Sequence, residues 1–166
     1  MNTHLKMLSC EKTDEYFTPP YAIDIILPYI PQGEIILEAA TGTGNMADYL
    51  EQMGYTVKRC YDFFNYGNDG NDDYDIIITN PPYSIKTKFL QHAYKIGKPF
   101  AFLLPITALE GIARGILWRK YGIQLIIPDK RINYANGSKN VYFNSSWFCW
   151  NLLPQDMIFV KLERDK

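Results

Sequence analysis

The 166-residue chain predicts an α/β fold: a mostly parallel, twisted sheet with helices on both faces and an antiparallel hairpin at the C-terminal end. Three observations predict it. Short apolar runs of strand length alternate with helical patterns, as in right-handed βαβ units. Gly54 and Gly97 stop two of those helical patterns where a C-terminal cap is needed. The last two apolar runs are separated only by Pro154-Gln155, which leaves no room for a crossover helix, so they are expected to pair with each other.

The first element is "FTPPYAIDIILPYI". Thr18 can cap a helix, and Pro19 and Pro20 suit its first turn. Ile23, Ile26, Leu27 and Ile30 then fall at i, i+3, i+4 and i+7. Residues 34–39 read as a buried strand, "TGTGN" as a turn and "MADYLEQMG" as a helix. Residues 55–61 form a second strand, "GNDGNDD" a surface loop and "YDIIITN" a third strand. "TKFLQHAYKIG" is a helix, 99–106 a fourth strand, "ALEGIARGILWRKYG" a helix weakened by Gly111 and Gly115, and 123–128 a fifth strand. "SSWFCWNLLP" and "DMIFVKLE" are the closing strands.

Composition bounds the function classes. The chain is 47% hydrophobic and 21% charged, enough to bury a core, and its length predicts one domain over 1–166 with residues 1–15 loosely held. No apolar run nears the roughly 18 residues that span a bilayer, and "IDIILPYI" is broken by Pro28. The N-terminus lacks the basic-then-apolar order of a signal peptide, so a cytoplasmic protein is expected. Cys10, Cys60 and Cys149 are widely spaced, and His4 and His92 are isolated, so neither a zinc site nor a disulfide framework is expected. The net charge of −1 argues against a broad nucleic-acid footprint, though not against a local basic patch.

Three constellations gather at the carboxyl ends of strands, where ligands bind in such sheets. In "LEAATGTGN", Gly42 and Gly44 open a helix after a strand, and Glu38 stands at that strand's end. A carboxylate there suits a ligand ammonium better than a pyrophosphate. The same residues also serve an ordinary tight turn. Asp62 lies where an acid binds a ribose hydroxyl, followed by Phe63 and Phe64, which either flank an adenine ring or belong to the core. "DIIITNPPYS" runs a core strand into Asn80, Pro81, Pro82 and Tyr83. The Asn80 carbonyl and the Pro81 backbone carbonyl are paired acceptors for the two N–H protons of a conjugated amine, and Tyr83 can stack on the planar group. A proline-rich turn is the bland alternative.

The order "FTPP", "LEAATGTGN", "DFF", "NPPY" resembles the amino-methyltransferases that use S-adenosylmethionine, in particular the N6-adenine DNA methyltransferases. The run "KPFAFLLPITALEG…YGIQLIIPDKRINY…WFCWNLLP" is similar to small bacteriophage members of that family. The resemblance covers about 14–162 and implies a Rossmann-like methyltransferase fold. It implies S-adenosylmethionine as cofactor, with Phe17, Thr18 and Pro19 at its methionine end and Glu38 facing its ammonium. Gly42 and Gly44 would lie beneath it, with Asp62 and Phe63 towards its adenosine. Asn80 and Pro81 would bind the target N6 amine, and Tyr83 and Tyr134 would stack on opposite faces of a flipped base. Lys130 and Arg131, with Lys139 nearby, either hold DNA phosphates or form a solvated loop. The family's usual second acid has no clear counterpart, and no stretch is long enough for a separate target-recognition domain. A homo-oligomer or a partner would then supply sequence recognition. RNA or a protein glutamine as substrate, and a non-catalytic cofactor-binding subunit or decoy, stand as alternatives.

Overall fold

The computed structural model describes residues 17–66, 72–134 and 143–163. Expectations for residues 1–15, for Lys139 and for 67–71 of the GNDGNDD loop lie outside these. The elements in chain order are α1 (Pro20–Ile23), β1 (Ile35–Glu38), α2 (Asn45–Gln52), β2 (Thr56–Arg59), β3 (Ile76–Thr79) and α3 (Lys86–Ile96). They continue with β4 (Phe100–Pro105), α4 (Ile112–Tyr121), β5 (Gln124–Pro128), β6 (Ser145–Trp150) and β7 (Met157–Val160).

One sheet of seven strands has the order β2-β1-β3-β4-β6-β5-β7. The pairs β1–β2, β1–β3, β3–β4 and β5–β7 are parallel, and β6 runs antiparallel to both β4 and β5. Period-2 alternation sends successive side chains to opposite faces. Ile36, Ile78, Leu103 and Trp147 meet Ile23 of α1 and Leu50 of α2 on one face. Leu37, Ile77, Phe102 and Phe148 meet Phe89 of α3 and Leu117 of α4 on the other. Burial on both faces explains the unbroken apolar runs of β3 and β4. No helix among the described residues is long and apolar enough to cross a membrane.

The structure corrects three local expectations. First, β6 and β7 do not form a hairpin. Both edges of β6 are occupied, by β4 and β5, so β7 has no place beside it. Gln124 at the start of β5 draws the connection across instead: its Oε1 accepts from the N–H groups of Leu152 and Leu153, both at 3.0 Å, and its Nε2 donates to the Leu153 carbonyl at 2.8 Å. The chain thus reaches the far edge of β5.

Second, the expected first helix is a single turn followed by a 3₁₀ turn at Leu27–Tyr29, around Pro28. Its apolar side is nonetheless buried as the spacing predicts, at Ile23, Ile26 and Ile30. Thr18 does not cap it, because the N-cap position is Pro19.

Third, α4 begins after Gly111, with Ile106–Leu109 a separate 3₁₀ turn. Arg114 stands in the first turn of α4. Its guanidinium donates to the carbonyls of Ala108 (2.6 Å) and Glu110 and to the Thr87 hydroxyl (2.8 Å), which ties α4 to α3.

Candidate active site

The site forms at the carboxyl ends of β1, β2 and β3. The β1–β2 register pairs Glu38 with Arg59, and the backbone continues this link beyond the strands. Cys60 N–H donates to the Glu38 carbonyl (3.0 Å) and to the Thr41 hydroxyl oxygen (2.9 Å), while Thr41 N–H donates to the Cys60 carbonyl (3.1 Å). Thr41 Oγ1 in turn donates to the Glu38 carbonyl at 2.9 Å. These bonds fix the turn after Glu38 against the segment that leads to Asp62.

Glu38 is 2% exposed. Its Oε1 accepts from Thr79 Oγ1 (2.6 Å) and from Ala40 N–H (3.3 Å). Burial pushes the carboxyl up to about 7, against the lowering pull of its hydrogen bonds to Thr79, Ala40 and Thr41 and of the Arg59 charge. Protein donors therefore do not fully offset the cost of this buried charge.

The two glycines of the turn do different work. Gly42 has φ +51, is exposed, and a Cβ there would touch only the Ala40 carbonyl at 3.8 Å. Gly44 has φ +92, and a Cβ would come within 2.6 Å of Arg59 Nη1. Space at Gly44 therefore belongs to the Arg59 side chain, which also pairs with Asp48 (2.6 Å) and Glu51 (2.7 Å) on α2. A Cβ at Gly42 would therefore meet open space, whereas at Gly44 it would meet the Arg59 guanidinium.

Asp62 opens a turn. Its carbonyl accepts from the N–H groups of Asn65 and Tyr66, and its Oδ2 accepts from Asn65 Nδ2 at 2.7 Å. Phe63 is 0% exposed and stacks on Phe89 with ring centroids 5.1 Å apart. It offers no surface to a ligand, which corrects its assignment as a cofactor contact. A strand-end aromatic that follows an acid has the same sequence whether it turns inwards or outwards. His92 packs edge-on against Phe63 at 4.8 Å, and its Nε2 is buried without a hydrogen-bond partner. Burial, then the Lys95 charge, lowers its pKa, so the imidazole is held neutral.

At the end of β3, Asn80 Nδ2 donates to Thr18 Oγ1 at 3.0 Å. Phe17 and Pro19, on either side of Thr18, are half-buried. Pro81 is buried, and its carbonyl accepts no hydrogen bond among the described residues. Pro82 precedes the 3₁₀ turn Tyr83–Ile85, with Ile85 N–H donating to the Pro82 carbonyl at 3.1 Å. The double proline thus ends the strand without drawing the Pro81 carbonyl into a turn.

Tyr83 and Tyr134 are brought together, but not as two parallel plates. Their hydroxyls lie 3.1 Å apart. Tyr134 donates to Ser145 Oγ at 2.7 Å, which leaves Tyr83 as the donor to Tyr134. Phe143 stands edge-on to Tyr83 at 5.6 Å. Rings that hold a base between them need their faces about two van der Waals thicknesses apart, and touching hydroxyls do not provide that gap. Lys130 and Arg131 are exposed, and Arg131 Nε donates to Asn144 Oδ1 at 2.9 Å. Sequence reasoning missed Thr79, because one hydroxyl in a run of β-branched strand residues carries no motif. It also missed Ser145, a lone hydroxyl in β6, and Thr41, one hydroxyl in the glycine-rich turn after β1.

No protein-family model matches the chain, and no curated protein matches it in sequence. Solved structures do match in shape. A modification subunit of a putative type I restriction enzyme from Vibrio vulnificus aligns with a TM-score of 0.56 at 14% identity, over 99% of this chain and 50% of its own. This chain therefore spans about half the length of that subunit. A predicted O-methyltransferase from Agrobacterium tumefaciens aligns with a TM-score of 0.49 at 10% identity, over 86% of this chain and 84% of its own. The architecture at these identities is a fold statement: a Rossmann-like methyltransferase fold.

Proposed function

We propose that the protein transfers a methyl group from S-adenosylmethionine to the exocyclic N6 amine of adenine in DNA. One observation carries the reading most. Thr79, the residue just before Asn80, donates to the buried Glu38 of β1, so the proposed cation site and the proposed amine-accepting site adjoin at the same end of the sheet. The methyltransferase fold and the likeness to a restriction-enzyme modification subunit agree with it.

Glu38 would hold the cofactor's ammonium, with Gly42 beneath it and Asp62 towards the ribose; the buried, underpaired carboxylate and the open face of Gly42 fit that group. When bound, the cofactor supplies an electrophilic methyl on sulfur. Asn80 and Pro81 have the task of orienting a weakly nucleophilic amine. Two carbonyl acceptors on its N–H bonds return electron density to nitrogen and aim its lone pair. No protein nucleophile is required. The Tyr83–Tyr134 hydroxyl bond has to open for a base to enter, and exposed Lys130 and Arg131 stand near that entrance on the same chain segment as Tyr134.

The closed tyrosine pair favours a second reading, a cofactor-binding subunit without catalysis. RNA and protein glutamine are further substrates that present a planar amine. Incubation with methyl-labelled S-adenosylmethionine and separate pools of unmethylated DNA, RNA and protein separates these. Label recovered as N6-methyladenine in DNA supports the proposal. Cofactor binding with no transfer to any pool supports the subunit.

A further inference from the structure

We infer that the outer flank of α4 and the exposed face of β7 form a self-association surface, on which a second copy of this chain packs its own α4 antiparallel to the first.

Four large apolar side chains carry it. On α4, Ile112 is 87% exposed and Ile116 53%; on β7, Met157 is 51% exposed and Phe159 73%. Single exposed apolar residues are ordinary, whereas a group of them on adjoining elements marks an interaction surface. The parallel register pairs Met157 with Leu125 and Phe159 with Ile127, so each pair shares a face of the sheet. Leu125 belongs to the core beneath α3 and α4, so Met157 and Phe159 look out on the side where α4 lies. There α4 packs on β6, with Trp118 and Phe148 ring centroids 6.2 Å apart, and β7 is the edge strand two places further out.

The turn of the helix aims the two isoleucines at that edge. Arg114, Trp118 and Tyr121 face α3. Arg114 donates to Thr87 Oγ1 at 2.8 Å, while Tyr121 and Trp118 lie 4.7 and 6.3 Å from Tyr94 between ring centroids. Ile112 and Ile116 each stand two residues from Arg114, about 200° around the helix, and so on the opposite flank. Since α3 packs on β4 through Phe89 and Tyr94, the opposite flank is the one towards β7.

Charge selects the occupant. Glu110 is exposed just before α4, and Arg119 and Lys120 are exposed in its last turn. Among the described residues, neither Glu110 nor Arg119 makes an ion pair. A twofold axis midway between Ile112 and Ile116 sets Ile112 against the second copy's Ile116, and Glu110 against the second copy's Arg119. The spacing allows it: the two charges lie about 6 and 7.5 Å from that midpoint, on opposite sides, at 1.5 Å per residue. A parallel copy would set like charges together. An apolar middle with unlike ends is complementary to its own image, which a twofold interface requires. The helix alone is about 15 Å long and falls short of the roughly 800 Å² per partner of a standard interface. Met157 and Phe159 widen the surface, and a dimer of micromolar affinity is expected.

Sedimentation velocity of the full chain, from low to high micromolar concentration, tests this. Wild type passes reversibly from monomer to dimer. Ile116→Glu weakens the dimer by about a hundredfold or more, and Phe159→Ser by about tenfold, with circular dichroism unchanged. Glu110→Arg and Arg119→Glu each weaken it by about tenfold, and the two together return it to within about threefold of wild type. These two positions are exposed, so the charge exchange decides the matter even where Ile116→Glu does not fold. A wild type that stays monomeric overturns the inference. So does a dimer that Ile116→Glu leaves intact, or a double charge variant that recovers nothing. A monomer that instead sediments with anionic vesicles or duplex DNA gives the surface another occupant and overturns it too.

Discussion

The Thr79 hydroxyl donates to Glu38 Oε1 at 2.6 Å, across the boundary between β3 and β1. Thr79 is the last residue of β3 and Asn80 the first beyond it. The carboxyl proposed to meet the cofactor and the amide proposed to meet the substrate are therefore one peptide unit and one hydrogen bond apart. Whatever holds Glu38 in place also holds the end of the strand that presents Asn80.

Glu38→Gln should stabilise the ligand-free protein at pH 8. A carboxyl that titrates at about 7 in the fold rather than 4.5 destabilises the fold by about 3 kcal/mol once ionised. The sign follows from the raised value: wild-type stability declines as pH rises from about 4.5 through about 7 and is flat above. Glutamine keeps an oxygen for Thr79 and carries no charge. Urea unfolding at pH 5 and pH 8 should show the two proteins converging at the lower pH and separating at the higher; equal separation at both would contradict the buried-charge account.

Binding of S-adenosylmethionine should have the opposite pH trend. A cationic ligand needs Glu38 ionised, so affinity should rise about tenfold per pH unit below about 7 and level off above it. Calorimetry from pH 5.5 to 8 measures this. Glu38→Gln should bind weakly, with little of that slope. A wild-type affinity independent of pH would separate the ligand ammonium from Glu38.

Asn80→Ala should abolish methyl transfer, by about a hundredfold or more, while S-adenosylmethionine affinity changes by less than about threefold. A large loss of cofactor affinity would show that the cation site and the amine site are not separate tasks.

The strands and their order of appearance were legible because each buried run is apolar on both faces, as in β3 and β4. Where β7 goes was not, since the bonds that carry the chain past β5 come from one glutamine, Gln124, with no motif around it. The site divides in the same way. Glu38, Gly42, Asn80 and Pro81 sit in patterned positions, at or just beyond the carboxyl ends of β1 and β3. Thr79 and Ser145 act through single hydroxyls that a sequence does not distinguish from strand filling, and Thr41 through one in a turn. Phe63 misled because adjacency to Asp62 says nothing about which way a ring turns.

Gly44→Ala should destabilise the protein by about 1–3 kcal/mol, since the added methyl meets Arg59 Nη1 and φ +92 is strained for alanine. Paired with Arg59→Ala, the cost should shrink to the backbone part alone. Denaturant unfolding of the two single variants and the double variant checks this, and strict additivity would contradict the steric share.

Tyr134→Phe removes the bonds to both Tyr83 and Ser145 and keeps the ring. It should lower stability by about 1 kcal/mol and leave kcat/KM for DNA equal or higher, because the pair that has to open is already broken. Tyr134→Ala should lose activity as the stacking face goes. Equal loss in both variants would assign the hydroxyl, not the ring, to the chemistry.

The most direct test of the central claim is nucleoside mass spectrometry of unmethylated bacterial genomic DNA after incubation with the wild-type protein and S-adenosylmethionine, beside Asn80→Ala. The prediction is N6-methyldeoxyadenosine with wild type and none with Asn80→Ala. Cofactor binding without any methylated nucleoside, or equal methylation by both proteins, would contradict it.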